Sequence, residues 1–154
     1  MRIAVLLCAL FLTSCAQQPD PILQLSRESM GIMQSVNHRT ASPEARLTVA
    51  QKILAHTSRY DAIIHDPYAT RQDQVSAIRF KRAEADMAAG IMKDLAREYI
   101  DQGQVEKGRD MYYSMLKIFT GDAYNSTRRS VEAELMHLNE KAQRKAPSQP
   151  TVVY

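Results

Sequence analysis

Apolar residues recur along most of this chain at steps of three, four and seven, the period of α-helices with one buried face. The first such stretch follows Asp20-Pro21, an acidic cap and then proline at the first helical position. It carries Ile22, Leu25, Met30, Met33 and Val36 up to the polar run near Asn37. Ser42-Pro43-Glu44 repeats the start signal. Leu47, Ala50, Ile53, Leu54, Thr57, Tyr60 and Ile64 then predict a second helix, stopped at His65-Asp66-Pro67, because a residue before proline is pushed away from helical dihedrals. From about Gln72 a third helix shows Val75, Ile78, Ala85, Ala89, Met92, Ala96 and Tyr99, with no breaker before Asp101-Gln102-Gly103 except Gly90. That length is unusual in a small domain, so a kink at Ala89-Gly90 is the alternative. Gln104 to Phe119 predicts a fourth helix, ended by Thr120-Gly121-Asp122. Asn125 to about Lys145 predicts a fifth, with Val131, Leu135 and Leu138 inward.

No alternating run of β-branched residues suggests a strand. The expectation is an all-α domain over residues 21–145, built from four to five antiparallel helices. Composition agrees: Trp is absent, Gly numbers only five, and strong helix formers dominate. A net charge of +3 is too small an excess to argue for nucleic acid. The last residues, APSQPTVVY at 146–154, hold two prolines and no helical pattern, which predicts a flexible tail.

The opening residues, MRIAVLLCALFLTSC, change the picture. Arg2 precedes an apolar run from Ile3 to Leu12, the length of a signal-peptide core and too short for a bilayer, which needs roughly 20 apolar residues. Leu12-Thr13-Ser14-Cys15 at its end resembles the lipobox of bacterial lipoproteins: an aliphatic residue, two small residues, then cysteine. The resemblance implies that residues 1–14 are removed as a signal peptide. Cys15 then becomes the lipidation site, carrying a diacylglycerol thioether and an N-acyl chain such as palmitate, and residues 15–20 form the lipidated tether. Ala16, where an Asp would tend to retain such proteins in the inner membrane, implies the outer membrane, facing the periplasm of the cell envelope. Each buried methylene contributes about 0.8 kcal/mol and one chain binds only reversibly, so two or three chains suit stable attachment. Loss of Cys8 and acylation of Cys15 leave no thiol for a disulfide, a metal site or nucleophilic catalysis. No cofactor is expected beyond those covalent lipids.

A second resemblance lies between Ala89 and Asp122. With Ala89 first, Leu95, Ala96 and Tyr99 take the seventh, eighth and eleventh places of a tetratricopeptide repeat, and Gly108, Tyr112 and Met115 the twentieth, twenty-fourth and twenty-seventh. Small Ala96 and Gly108 would let two antiparallel helices approach, with Tyr99 and Tyr112 beside them and Gly103 in the turn. Met92 stands where the family often has Trp, and Thr120 where it often has Pro. One period upstream, Gln74 and Lys81 occupy places that should be small. The resemblance implies a partial solenoid and a protein-binding module, with Gly90, Lys93, Arg97, Ile100 and Asp101 at the places that commonly face a partner. Lys93 and Arg97 lie one turn apart, suited to a carboxylate or acidic peptide. Against that, Asp94 and Glu98 beside them make an ordinary solvated face.

Chemistry is otherwise sparse. His38, His56, His65 and His137 are scattered, with no pair at the i, i+4 spacing of a helical metal site, and are expected at the surface or its boundary. Glu84, Asp86, Glu132 and Glu134 are spread among basic neighbours as on a solvated face. No catalytic or metal residues are assigned. The densest basic run, Arg79-Phe80-Lys81-Arg82, suits anionic lipid headgroups or an acidic partner, although Glu84 and Asp86 follow closely. The functional expectation is a non-catalytic adaptor or assembly factor for an envelope protein partner, bound to the membrane through Cys15 and not to nucleic acid. The rivals are an envelope enzyme or small-ligand binder with a pocket between helices, and a self-associating structural lipoprotein.

Overall fold

A computed structural model describes residues 20–145, with side chains as far as Lys141; the expected signal peptide at 1–14, most of the expected tether at 15–20 and the expected tail at 146–154 lie outside the described residues. Five principal helices follow one another: α1 (Pro21–Gln34), α2 (Pro43–Thr57), α3 (Arg71–Asp101), α4 (Val105–Ile118) and α5 (Asn125–Lys145). Among the described residues there is no strand. The start signals act as their chemistry requires. Asp20 accepts from the Ile22 amide at 2.9 Å and Ser42 from the Ala45 amide at 3.2 Å, each with proline at the first position of its helix. Thr70 caps α3 by accepting from the Asp73 amide at 3.1 Å.

Two boundaries differ from the sequence pattern, and hydroxyls explain one of them. The second helix does not run smoothly to Ile64. Past Thr57 it tightens into a 3-10 turn (Ser58–Tyr60) and resumes for a single turn (Asp61–Ile64). Thr57 and Ser58 donate back to the carbonyls of Leu54 and Ala55, at 2.7 and 2.8 Å, which loosens the regular ladder. The first helix ends at Gln34 rather than near Asn37. His38 reaches back to the Met33 carbonyl at 3.0 Å, satisfying one of the carbonyls a helix end leaves free. Met30 points outward, 59 % exposed, while Ser29 takes the buried place.

The third helix runs unbroken through Gly90 for 31 residues. It ends in a Schellman turn: the Gln104 amide bonds the Tyr99 carbonyl at 2.8 Å and the Gly103 amide bonds Ile100 at 3.0 Å, with Gly103 at φ 81°. That reversal sends α4 back along α3.

Sequential helices are antiparallel, so α1, α3 and α5 run parallel. Ion pairs tie α2 and the turn that follows it to α3: Arg46 with Glu98, and Asp61 with Lys81 at 2.6 Å. The main core gathers Val49, Ile53, Ala85, Ala89, Met92, Ala96, Tyr112, Met115, Phe119, Val131 and Leu135 from α2 to α5. A smaller cluster of Ile22, Leu25, Tyr60 and Ala77 joins the starts of α1 and α3 to the end of the second helix. Val75 and Ile78, read as inward by period, are about 40 % exposed, because α4 and α5 cover the corresponding face of α3 only farther along.

At Gly108 the third and fourth helices lie too close to admit a side chain. A Cβ placed there would lie 2.5 Å from Ile100 Cγ1 and 2.7 Å from the Ala96 carbonyl oxygen. Gly90 has nothing within 4 Å of such a Cβ. Gly108→Ala should therefore lose about 1–3 kcal/mol of stability through overpacking. Gly90→Ala should gain about 0.5–1 kcal/mol by helix propensity. Urea unfolding of the two variants checks this; equal effects would contradict the close approach.

Candidate functional site

Two polar constellations stand out, one closed and one open. The closed one joins α1, α2 and α3. Glu84 is 4 % exposed and His56 6 %, so both depart from the surface placement the sequence suggests. One Glu84 oxygen accepts from Tyr60 Oη at 2.6 Å, and the other from His56 Nδ1 at 2.9 Å. Burial, with the Glu84 carboxylate beside it, pushes the Tyr60 phenol well above its ordinary pKa. On the far side of the imidazole, Nε2 lies 3.5 Å from Glu28 of α1, and Glu28 also pairs with Arg59. The Gln24 hydrogen bond, together with Arg59, holds the Glu28 carboxyl below its usual value.

The signal for this cluster was present but faint. His56 and Tyr60 are four residues apart, hence on one face. Glu84 shares a stripe of α3 with Ala77 and Ala88, seven residues before it and four after. A charge between buried alanines is a charge facing a neighbour. Its arrangement cross-ties three helices, and a buried carboxylate with two donors is satisfied rather than vacant. Glu84→Leu would leave the His56 and Tyr60 donors unpaired. It should cost on the order of 3 kcal/mol in urea unfolding, and unchanged stability would contradict the cross-tie.

The open constellation lies between the end of α3 and the middle of α5. Ile100, Tyr112, Ala133 and Leu138 form its apolar floor; Arg97, Asp101, Glu134, His137 and Lys141 form its rim. The groove measures about 480 Å³. Three of the residues singled out by sequence, Arg97, Ile100 and Asp101, meet here. The other two lie outside it: Lys93 turns one helical turn away toward Ser130 Oγ, at 3.0 Å, and Gly90 lies beside Lys93 and Ser130.

Lys93 and Arg97 do share one face of α3, but that face is turned to a neighbouring helix rather than to solvent alone. Both are directed at α5. Arg97 forms a two-pronged contact with Glu134, Nε at 3.0 Å and Nη2 at 2.6 Å, and also reaches Asp94 at 3.2 Å. Glu98, the other neighbour expected to pair with them, goes to Arg46 instead. Tyr112 donates to Glu134 as well. Burial would raise the Glu134 carboxyl, but the hydrogen bonds from Arg97 and Tyr112 and the nearby cations outweigh it and hold the pKa below its usual value. Burial and the Glu134 bond push the Tyr112 phenol up. Since Arg97 is half exposed, its pair with Glu134 contributes under about 1 kcal/mol; its effect is to set the spacing of α3 and α5.

Among the described residues no group of three His, Cys, Asp or Glu side chains is placed to hold a metal ion, and no helix is long and apolar enough to cross a membrane. No protein-family model, curated protein or solved structure matches this chain.

Proposed function

We propose that this chain is a lipid-anchored, non-catalytic adaptor of the bacterial cell envelope, attached through Cys15 at the outer membrane and facing the periplasm. It would present the α3–α5 groove to a segment of a protein partner. The observation that carries the binding role is the groove itself: an apolar floor bounded by two parallel helices and rimmed by both signs of charge. Such a site suits a partner side chain seated on Ile100 and Leu138, with polar contacts to Asp101, His137 and Lys141 at the edge.

Three features support reading α3 and α4 as a tetratricopeptide-like hairpin. The close approach at Gly108, the Gly103 turn and a following helix parallel to α3 are what such a repeat requires. The role of Arg97 in this reading is positional. It holds Glu134 at the rim and leaves Ile100 and Asp101 facing the partner.

The anchor and the groove are tested separately. Cells fed radiolabelled palmitate should label the wild type and Cys8→Ser, whereas Cys15→Ser stays unlabelled; label persisting in Cys15→Ser would refute acylation there. A photo-cross-linking amino acid at Asp101 should give a discrete protein adduct in cells. At Met136, on the outer side of α5 and 62 % exposed, it should give none. Absence of an adduct at 101, or the same adduct from both positions, would count against the groove as a docking site.

A further inference from the structure

α3 begins well before the helices that cover its far end, and the uncovered part has a definite chemistry. Arg71, Val75, Ile78 and Arg82 follow one another at steps of four, three and four, so they form one stripe along the helix; Arg79 flanks it. All three arginines are exposed, and the two aliphatic residues are about 40 % exposed. Just before the helix, Tyr68 is 93 % exposed. The other members of the basic run are already committed elsewhere: Phe80 stacks on Tyr60 and Lys81 pairs with Asp61.

Nearby acidic groups do not cancel the stripe. Glu84 is buried, and Asp86 accepts the Thr127 hydroxyl at 2.5 Å. Asp73 lies roughly half a helical turn round from Arg71. With Asp20 and Asp66 it borders the α1 side of α3. The stripe is thus cationic and partly apolar, the pattern of a helix lying against an anionic lipid surface.

Its position decides the occupant. Ile22 at the start of α1 packs in one cluster with Ala77 near the start of α3, so the chain enters the domain at the end where the stripe begins. From Cys15 to Pro21 the backbone can span at most about 20 Å. We propose that Arg71, Val75, Ile78, Arg79 and Arg82 form a membrane-contact face that lays the start of α3 on anionic phospholipid headgroups and orients the domain. This rests on the anchor reading for its geometry, but not for its chemistry. Arginines near a charged bilayer each strengthen binding about fivefold.

The full lipidated chain, reconstituted in vesicles, tests this. Ile78→Cys carries an environment-sensitive fluorophore, and Met136→Cys, roughly 30 Å along the bundle, serves as control. In vesicles containing phosphatidylglycerol the probe at 78 should shift to the blue and be quenched by a lipid-borne quencher. In phosphatidylcholine alone, in high salt, or with Arg71, Arg79 and Arg82 all changed to Gln, that signal should vanish while the protein still floats with the vesicles. A signal at 78 equal to that at 136, or indifferent to lipid charge, would overturn the proposal; a face made for an acidic protein would give that result. Should the chain carry no lipid, flotation itself reads the stripe. The unlabelled wild type should then bind phosphatidylglycerol vesicles about a hundredfold more tightly than the triple Gln variant, and equal binding would overturn it.

Discussion

A helix with neighbours on two sides must be thin on both, and α3 meets that constraint with alanine. Ala77, Ala85, Ala88, Ala89 and Ala96 are each at most 1 % exposed. Ala77 and Ala88 share the stripe of Glu84, which faces α2 through His56. Ala85, Ala89 and Ala96 share another stripe, and Ala96 presents its backbone to Gly108 of α4. Interaxial distance depends on the side chains at the contact, so large residues at these places would push one neighbour or the other away. The larger side chains of the core, such as Ile53, Tyr112, Met115 and Phe119, come mainly from the flanking helices.

From that spine follows the division of the surface. Where α2 lies on α3, polar groups are turned inward, and Glu84 is paired with both His56 and Tyr60. Where α5 runs parallel to α3, the two helices are held at a distance by Arg97 and Glu134, and a groove opens above Ile100. Where α3 outruns α4 and α5, its face stays bare and basic. One long helix therefore carries a closed end-to-end cross-tie, an open groove and an uncovered stripe, each defined by which neighbour is present at that level.

Much of this architecture was legible in the sequence. The caps at Asp20 and Ser42 and the glycine turn at 103 are local signals, and local signals survive folding; the Thr70 cap of α3 was not read from the sequence. The small pair Ala96 and Gly108 also pointed to a helix crossing. What period alone could not supply was the level at which each neighbour begins and ends. Val75 and Ile78 fit the apolar period yet stay exposed, and Glu84 looks like surface yet is buried, for that same reason. Likewise, Lys93 and Arg97 were legible as a pair on one face, but not as a pair already engaged by α5. The segment bearing Cys15 is a chemical motif, and its meaning rests on processing rather than on packing.

The central claim is that α3 is one continuous spine through Gly90. Amide hydrogen exchange across residues 85–96 tests it most directly. Those amides should be the slowest in the molecule and should exchange only with global unfolding, since both flanks of the helix are covered there. Fast exchange at residues 88–92, with protected segments on either side, would show two helices meeting at a joint and would contradict the account.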